Sequence, residues 1–129
     1  MKSDVYLARV SSKNIEDRAL ALKRLLKKTS PFSHYRKKEI IPLKLTIGDA
    51  PCVYNVSPDL VKIIVSEVKK QGAKPFLFDT SVIYHGERQN AVSHLNLAQY
   101  KGFSHSKTGA PFIIADGLLG QDGREYETG

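Results

Sequence analysis

Residues 74–102 read KPFLFDTSVIYHGERQNAVSHLNLAQYKG, and the order of their patterns decides the fold. Phe76, Leu77 and Phe78 form a short apolar run that passes into Asp79 and Thr80, which predicts a strand opening at its carboxyl end onto a turn. A polar loop follows, from Thr80 to Arg88. A helix is then expected from about Gln89 to Lys101, with Ala91, Leu95 and Ala98 as its core stripe and Gly102 as its terminator.

The same alternation extends in both directions. Downstream, Pro111 to Ala115 is another apolar run, closing on Asp116 and Gly117. Upstream, Ser57, Pro58 and Asp59 supply a capping hydroxyl, a first-turn proline and an early carboxylate, which opens a helix carrying Val61, Ile64, Val65 and Val68 on one face. Before it, Ile40 to Ile47 reads as a strand that ends at Gly48-Asp49, with Pro42 suited to an edge or a strand entrance. Ile15 to Lys28 reads as a helix with Ile15, Ala19, Leu22, Leu25 and Leu26 turned inward, preceded by Ser11, Ser12 and Asn14 as loop or capping residues. Val5 to Val10 is β-rich and predicts one more strand. The expected architecture is a layered α/β domain with a mainly parallel sheet of about four strands flanked by helices. It occupies residues 1–119, with 120–129 a polar tail or severed connection.

The 129 residues, 41% hydrophobic and 26% charged, suit one globular domain with a real core. No apolar run approaches the length of about 18 residues that a membrane helix needs, and Met1-Lys2-Ser3-Asp4 leads into a strand-like run rather than a signal core. The expectation is a cytoplasmic protein without a membrane partner. Cys52 is the single cysteine, so this chain's own thiols cannot build an iron-sulfur cluster, and a structural thiol is the favoured reading.

The net charge of +7 is unevenly placed: residues 1–44 carry 12 Lys/Arg against 4 Asp/Glu, while the rest is close to neutral. Lys23, Arg24, Lys27 and Lys28 share a helix, and Arg36, Lys37 and Lys38 follow it. Such a patch suits phosphates or nucleic acid. The sequence alone favours a solvated helix face, since basic residues belong near a helix carboxyl end and no recognised nucleic-acid motif accompanies them.

Three strands are expected to pass from apolar residues to a carboxylate, at Asp49, Asp79 and Asp116. In a parallel sheet those ends share one edge, where a crevice commonly takes ligands. For Asp49 a turn-capping role is preferred. The loop after Asp79 adds Thr80, Tyr84, His85 and Arg88, and Asn90 and His94 stand four apart on the next helix, on one face. Two imidazoles and a carboxylate could hold a divalent metal, or a histidine and an arginine could engage an anion. No HExxH, P-loop or nucleophile-elbow pattern singles out a reaction. Ordinary hydrogen-bonded histidines are preferred over metal ligands, and His34 and His105 read as loop residues.

The wording KPFLFDTSVIYHGERQNAVSHL from Lys74 and GFSHSKTGAPFIIADGLLG from Gly102 resembles domain-of-unknown-function family 362. The likeness extends more weakly back through Asn55-Val-Ser57-Pro58-Asp59 and Lys44. The resemblance implies weight on Asp79, Thr80, Tyr84, Arg88, Asn90, His94, Asp116 and Gly117, without roles. Longer members are similar to ferredoxin fusions, with a carboxyl-terminal iron-sulfur segment built on cysteine clusters that this chain lacks, so the chain looks like an amino-terminal part. Three functional readings follow. The first is a small polar or anionic ligand at the carboxyl edge of the sheet, with or without a divalent metal, lined by Asp79, His85, Arg88, Asn90, His94 and Asp116. The second is an interaction module, self-associating or part of a larger iron-sulfur protein. The third is nucleic-acid binding through the basic first third.

Overall fold

The fold comes from a computed structural model that describes residues 4–11 and 14–127. Residues 1–3 and Ser12 of the expected opening lie outside the described residues. The described residues form four helices and three strands in the order α1 (Ile15–Thr29), β1 (Ile40–Lys44), α2 (Pro58–Lys70), β2 (Lys74–Asp79), α3 (Ala91–Tyr100), α4 (His105–Thr108) and β3 (Phe112–Ile114). The sheet has the order β1-β2-β3 and is parallel throughout, so α2 and α3 are the crossovers of two successive βαβ units. This is the α/β layered architecture expected, with a smaller sheet.

The helix starts follow local chemistry. Asn14 caps α1 by accepting from the Glu16 amide, Ser57 caps α2 through Asp59 N–H, and Asn90 caps α3 through Ser93 N–H. Gly72 and Gly102 follow α2 and α3 with φ of 79° and 87°, a backbone region that glycine enters without steric cost.

The strands show two different faces. Ile41 and Leu77 are buried beneath the helices, packed into two adjoining clusters with Val61, Val65 and Val68 of α2 and Leu97 and Ala98 of α3. On the other side, Ile40 and Ile113 are exposed and Phe76 and Phe78 half-buried, as the period of two along a strand requires. Helix α1 packs on α2 and keeps its apolar stripe half-buried, with none of its residues fully covered.

Three expectations need correction. Val5 to Val10 forms no strand, and Val5 and Leu7 are exposed to 80% and 91%. A physical reason is visible at the edge of β1. Lys74 N–H bonds to Glu39 C=O and Leu45 N–H to Phe78 C=O, so the odd residues of β1 face β2 and Pro42 faces outward. There its missing N–H removes the middle donor that a fourth strand would use. Second, β1 ends at Lys44, three residues before Ile47, because from there the chain turns toward the Asp49–Cys52 turn. Third, the core stripe of α3 is Ala91, His94, Leu97 and Ala98, while Leu95 is 39% exposed. A histidine holds the position where a leucine was expected, and the site explains why. Among the described residues no helix is long and apolar enough to cross a membrane.

Candidate functional site

Asp79 is the last residue of β2 and its side chain is 1% exposed. Burying a lone carboxylate is costly, so the chain surrounds it with donors. Lys44, at the end of the neighbouring strand, donates from Nζ at 2.6 Å, and Arg88 from the following loop donates from a terminal guanidinium nitrogen at 3.1 Å. The Thr80 amide adds a bond at 2.9 Å, and the Ile47 amide lies at 3.5 Å. His94, wholly buried on α3, brings Nε2 to 3.4 Å from the same oxygen that Arg88 engages. Burial by itself would raise the Asp79 pKa, but the bonds from His94, Lys44 and the Thr80 amide, together with the Lys44 charge, hold it well below the usual carboxylate range.

Arg88 Nε also approaches His94 Nε2 at 3.4 Å. One ring nitrogen carries either a proton or a lone pair, so it cannot donate to Asp79 and accept from Arg88 at once. We place the proton between His94 and Asp79, since the carboxylate is the stronger acceptor and Arg88 already reaches it by another nitrogen. In either arrangement His94 Nδ1 is buried without a partner. Arg88 also donates to the Tyr84 hydroxyl at 3.4 Å, and Tyr84 donates to Asp49 Oδ2 at 3.3 Å. The network therefore runs from the end of β1 through β2 and α3 to the loop at Asp49. Asp79, Arg88 and His94 are buried and bonded to one another, which suits a fastening better than a reaction centre.

Asp116, just after β3, has a different setting. It accepts the Ser81 amide at 2.8 and 3.0 Å and lies 3.4 Å from the Ser81 hydroxyl, so it ties the turn after β3 to the loop after β2. The Ala91 amide donates to Leu118 C=O and fastens the same turn to the start of α3. These three segments wall a cavity of about 480 Å³, where Ser81, Gln89, Asn90 and Asp116 supply polar groups and Ile83 and Leu119 apolar ones. Among the described residues no lysine or arginine lines it.

The expected site residues thus fall into two groups. Asp79, Tyr84, Arg88 and His94 meet in the buried network, joined by Thr80 through its amide. Asn90 and Asp116 line the cavity. Asn90 and His94 do not act together, since the asparagine caps α3 at the cavity wall while the histidine enters the core. His85 is exposed on the loop and touches neither group. Among the described residues no three His, Cys, Asp or Glu side chains gather as a metal site would require. Sequence reasoning missed Lys44, Ser81, Gln89 and Gly120. Lys44 left a signal, because a lysine ending one parallel strand beside a strand that ends in aspartate has the reach to pair with it; the other three left none.

A short parallel sheet with helices between its strands, a buried charge network at its carboxyl ends and a small polar cavity beside them define an α/β domain of the layered class. The chain belongs to the family described as Domain of unknown function (DUF362), whose model matches residues 41–129. No curated protein and no solved structure matches it.

Proposed function

We propose that this domain binds a small, hydroxyl-bearing ligand in the cavity between the loop after β2, the turn after β3 and the start of α3. The carrying observation is that cavity of about 480 Å³ at the carboxyl edge of a parallel sheet, with a carboxylate, two amide side chains and a serine converging on it. Its lining favours an uncharged or cationic polar ligand over an anionic one, because Asp116 stands there without a cation beside it. Binding is a better reading than catalysis. The buried His94 and Asp79 have no surface with which to reach a ligand, which leaves Asp116 as the one carboxylate lining the cavity among the described residues. Asp116 could contribute one or two oxygens to a divalent ion, with water supplying the rest.

Two-dimensional amide NMR of the labelled protein tests the reading. Titration with glycerol, glucose and inositol should move the Ser81, Asn90 and Gly120 amides, and Asp116→Asn should weaken the response severalfold. Inorganic phosphate should leave those amides in place. Mn²⁺ should broaden the same amides if an ion belongs there. Movement confined to other parts of the molecule, or equal response in the Asp116 variant, would overturn the proposal.

A further inference from the structure

Helices α1 and α2 lie side by side, and between them runs a groove remote from the cavity at the strand ends. Its wider part encloses about 510 Å³ and is lined by Lys23, Lys27, Lys70 and Phe32 among others; a narrower part of about 320 Å³ continues it past Lys62 and Ser66. The two parts share Lys23, Glu67 and Lys70. Glu67 is the groove's one carboxylate, and it is held by Lys70 at 2.6 Å. No ion pair or hydrogen bond engages the ammonium groups of Lys23, Lys27 or Lys62 among the described residues. Among the described residues the groove therefore concentrates positive charge at Lys23, Lys27 and Lys62 that no carboxylate pairs with.

Helix dipoles do not account for it. The last turns of α1 and α2 hold Lys27, Lys28, Lys69 and Lys70, where cations are favoured. Lys23 lies before the last turn of α1, and Lys62 lies in the first half of α2, nearer the end where a cation is disfavoured. From Lys62 to Lys70 is eight residues, or about 12 Å along the helix. That length spans roughly three to four nucleotides at a stacked rise of about 3.4 Å. Phe32 lines the wider end; half-buried against the Ile41, Val68 and Ala73 cluster and stacked on Tyr35 at 6.0 Å, it leaves the groove an apolar patch on which an unpaired base can rest. The groove is concave, a shape that a flat lipid surface cannot enter.

We infer that the α1–α2 groove binds the phosphate backbone of single-stranded nucleic acid, with Lys23, Lys27 and Lys62 as the phosphate contacts and Phe32 as a stacking surface. Fluorescence anisotropy with a labelled oligothymidylate and a labelled oligouridylate provides the test, run between about 50 and 200 mM salt. Three lysine contacts to a single strand predict a slope of log affinity against log salt of about −2. K23Q/K27Q/K62Q should lose roughly tenfold or more at the lowest salt and flatten that slope, while the charge-matched K74Q/K107Q/R124Q, whose substitutions lie away from the groove, should bind as the wild type does. F32L should weaken binding and leave the slope unchanged. All six positions other than Phe32 carry exposed or groove-lining cations, and circular dichroism will report that each variant is folded. Equal loss in the two triple variants would overturn the inference, because it would mean net charge alone. So would absence of oligonucleotide binding, whether or not polyphosphate, polyglutamate or phosphatidylserine vesicles are retained.

Discussion

Asp79 and Asp116 arise from the same pattern, an apolar strand closing on a carboxylate, yet the fold puts them to opposite uses. Asp79 ends the central strand and is shut from solvent among Lys44, Arg88 and His94. Asp116 follows the edge strand β3, accepts from the Ser81 amide of one neighbouring loop and lines a cavity. The difference lies in what each carboxylate can reach. Asp79 lies beside Lys44 at the end of β1 and is met by Arg88 from the loop that follows it and by His94 from α3, whereas the carboxylate beyond the edge strand meets the Ser81 amide. The first becomes a structural knot, and the second remains available.

The largest test of that contrast is to remove each carboxylate in turn. Asp79→Ala leaves Arg88 and His94 buried beside an empty position, and loss of one partner of a buried charge pair costs about 3–5 kcal/mol. Asp116→Ala removes hydrogen bonds from a half-buried amide and should cost about 1 kcal/mol. Urea denaturation of both variants gives the two numbers. Costs of equal size would end the distinction between a knot and an available group.

Acid sharpens the same contrast. The folded-state pKa of Asp79 is depressed, so its contribution is fully present above the unfolded carboxylate value of about 3.9 and is lost as pH falls through the lower folded value. The stability gap between wild type and Asp79→Asn should therefore be constant from neutral pH down to about pH 5 and should narrow steadily below about pH 4. Chemical denaturation across that range measures it. A gap that widens on acidification would mean that the carboxyl is protonated in the fold.

Much of the architecture could be read from residue order, because capping residues and apolar periods are local. Ser57-Pro58 announces α2, and the even spacing of strand, loop and helix announces the parallel crossovers. What escaped depends on contacts between distant residues. Val5 to Val10 has the composition of a strand, but a strand exists only if an edge accepts it, and Pro42 stands on the edge of β1. His94 reads as a hydrogen-bonded histidine lining the crevice and Leu95 as core; pairing with Asp79, 15 positions earlier in the chain, puts His94 in the core and leaves Leu95 partly exposed. The site was legible as a neighbourhood, since six of the eight expected residues meet in the network or line the cavity by their side chains. Its division into two parts was not legible: Lys44 left a signal for Asp79, but nothing in the residue order shows that Asp116 would be left to a backbone amide.

Within the knot the partners themselves differ, and that gives the smallest expected effect. The Lys44 side chain is 47% exposed and its ammonium also bonds to Leu45 C=O, while Arg88 is 8% exposed and its guanidinium spans Asp79 and Tyr84. Although Lys44 makes the shorter contact, solvent screens it and compensates for its loss, so its shortness does not measure its worth. Lys44→Met keeps most of the aliphatic stem, leaves Arg88 and the Thr80 amide on the carboxylate, and should cost less than about 1 kcal/mol. Arg88→Met leaves a buried carboxylate facing a histidine and should cost about 3 kcal/mol or more. Denaturation of the two single variants and their double sets the order. A lysine that costs as much as the arginine would show that water does not reach the end of β1, and that Asp79 is held from both sides with equal force.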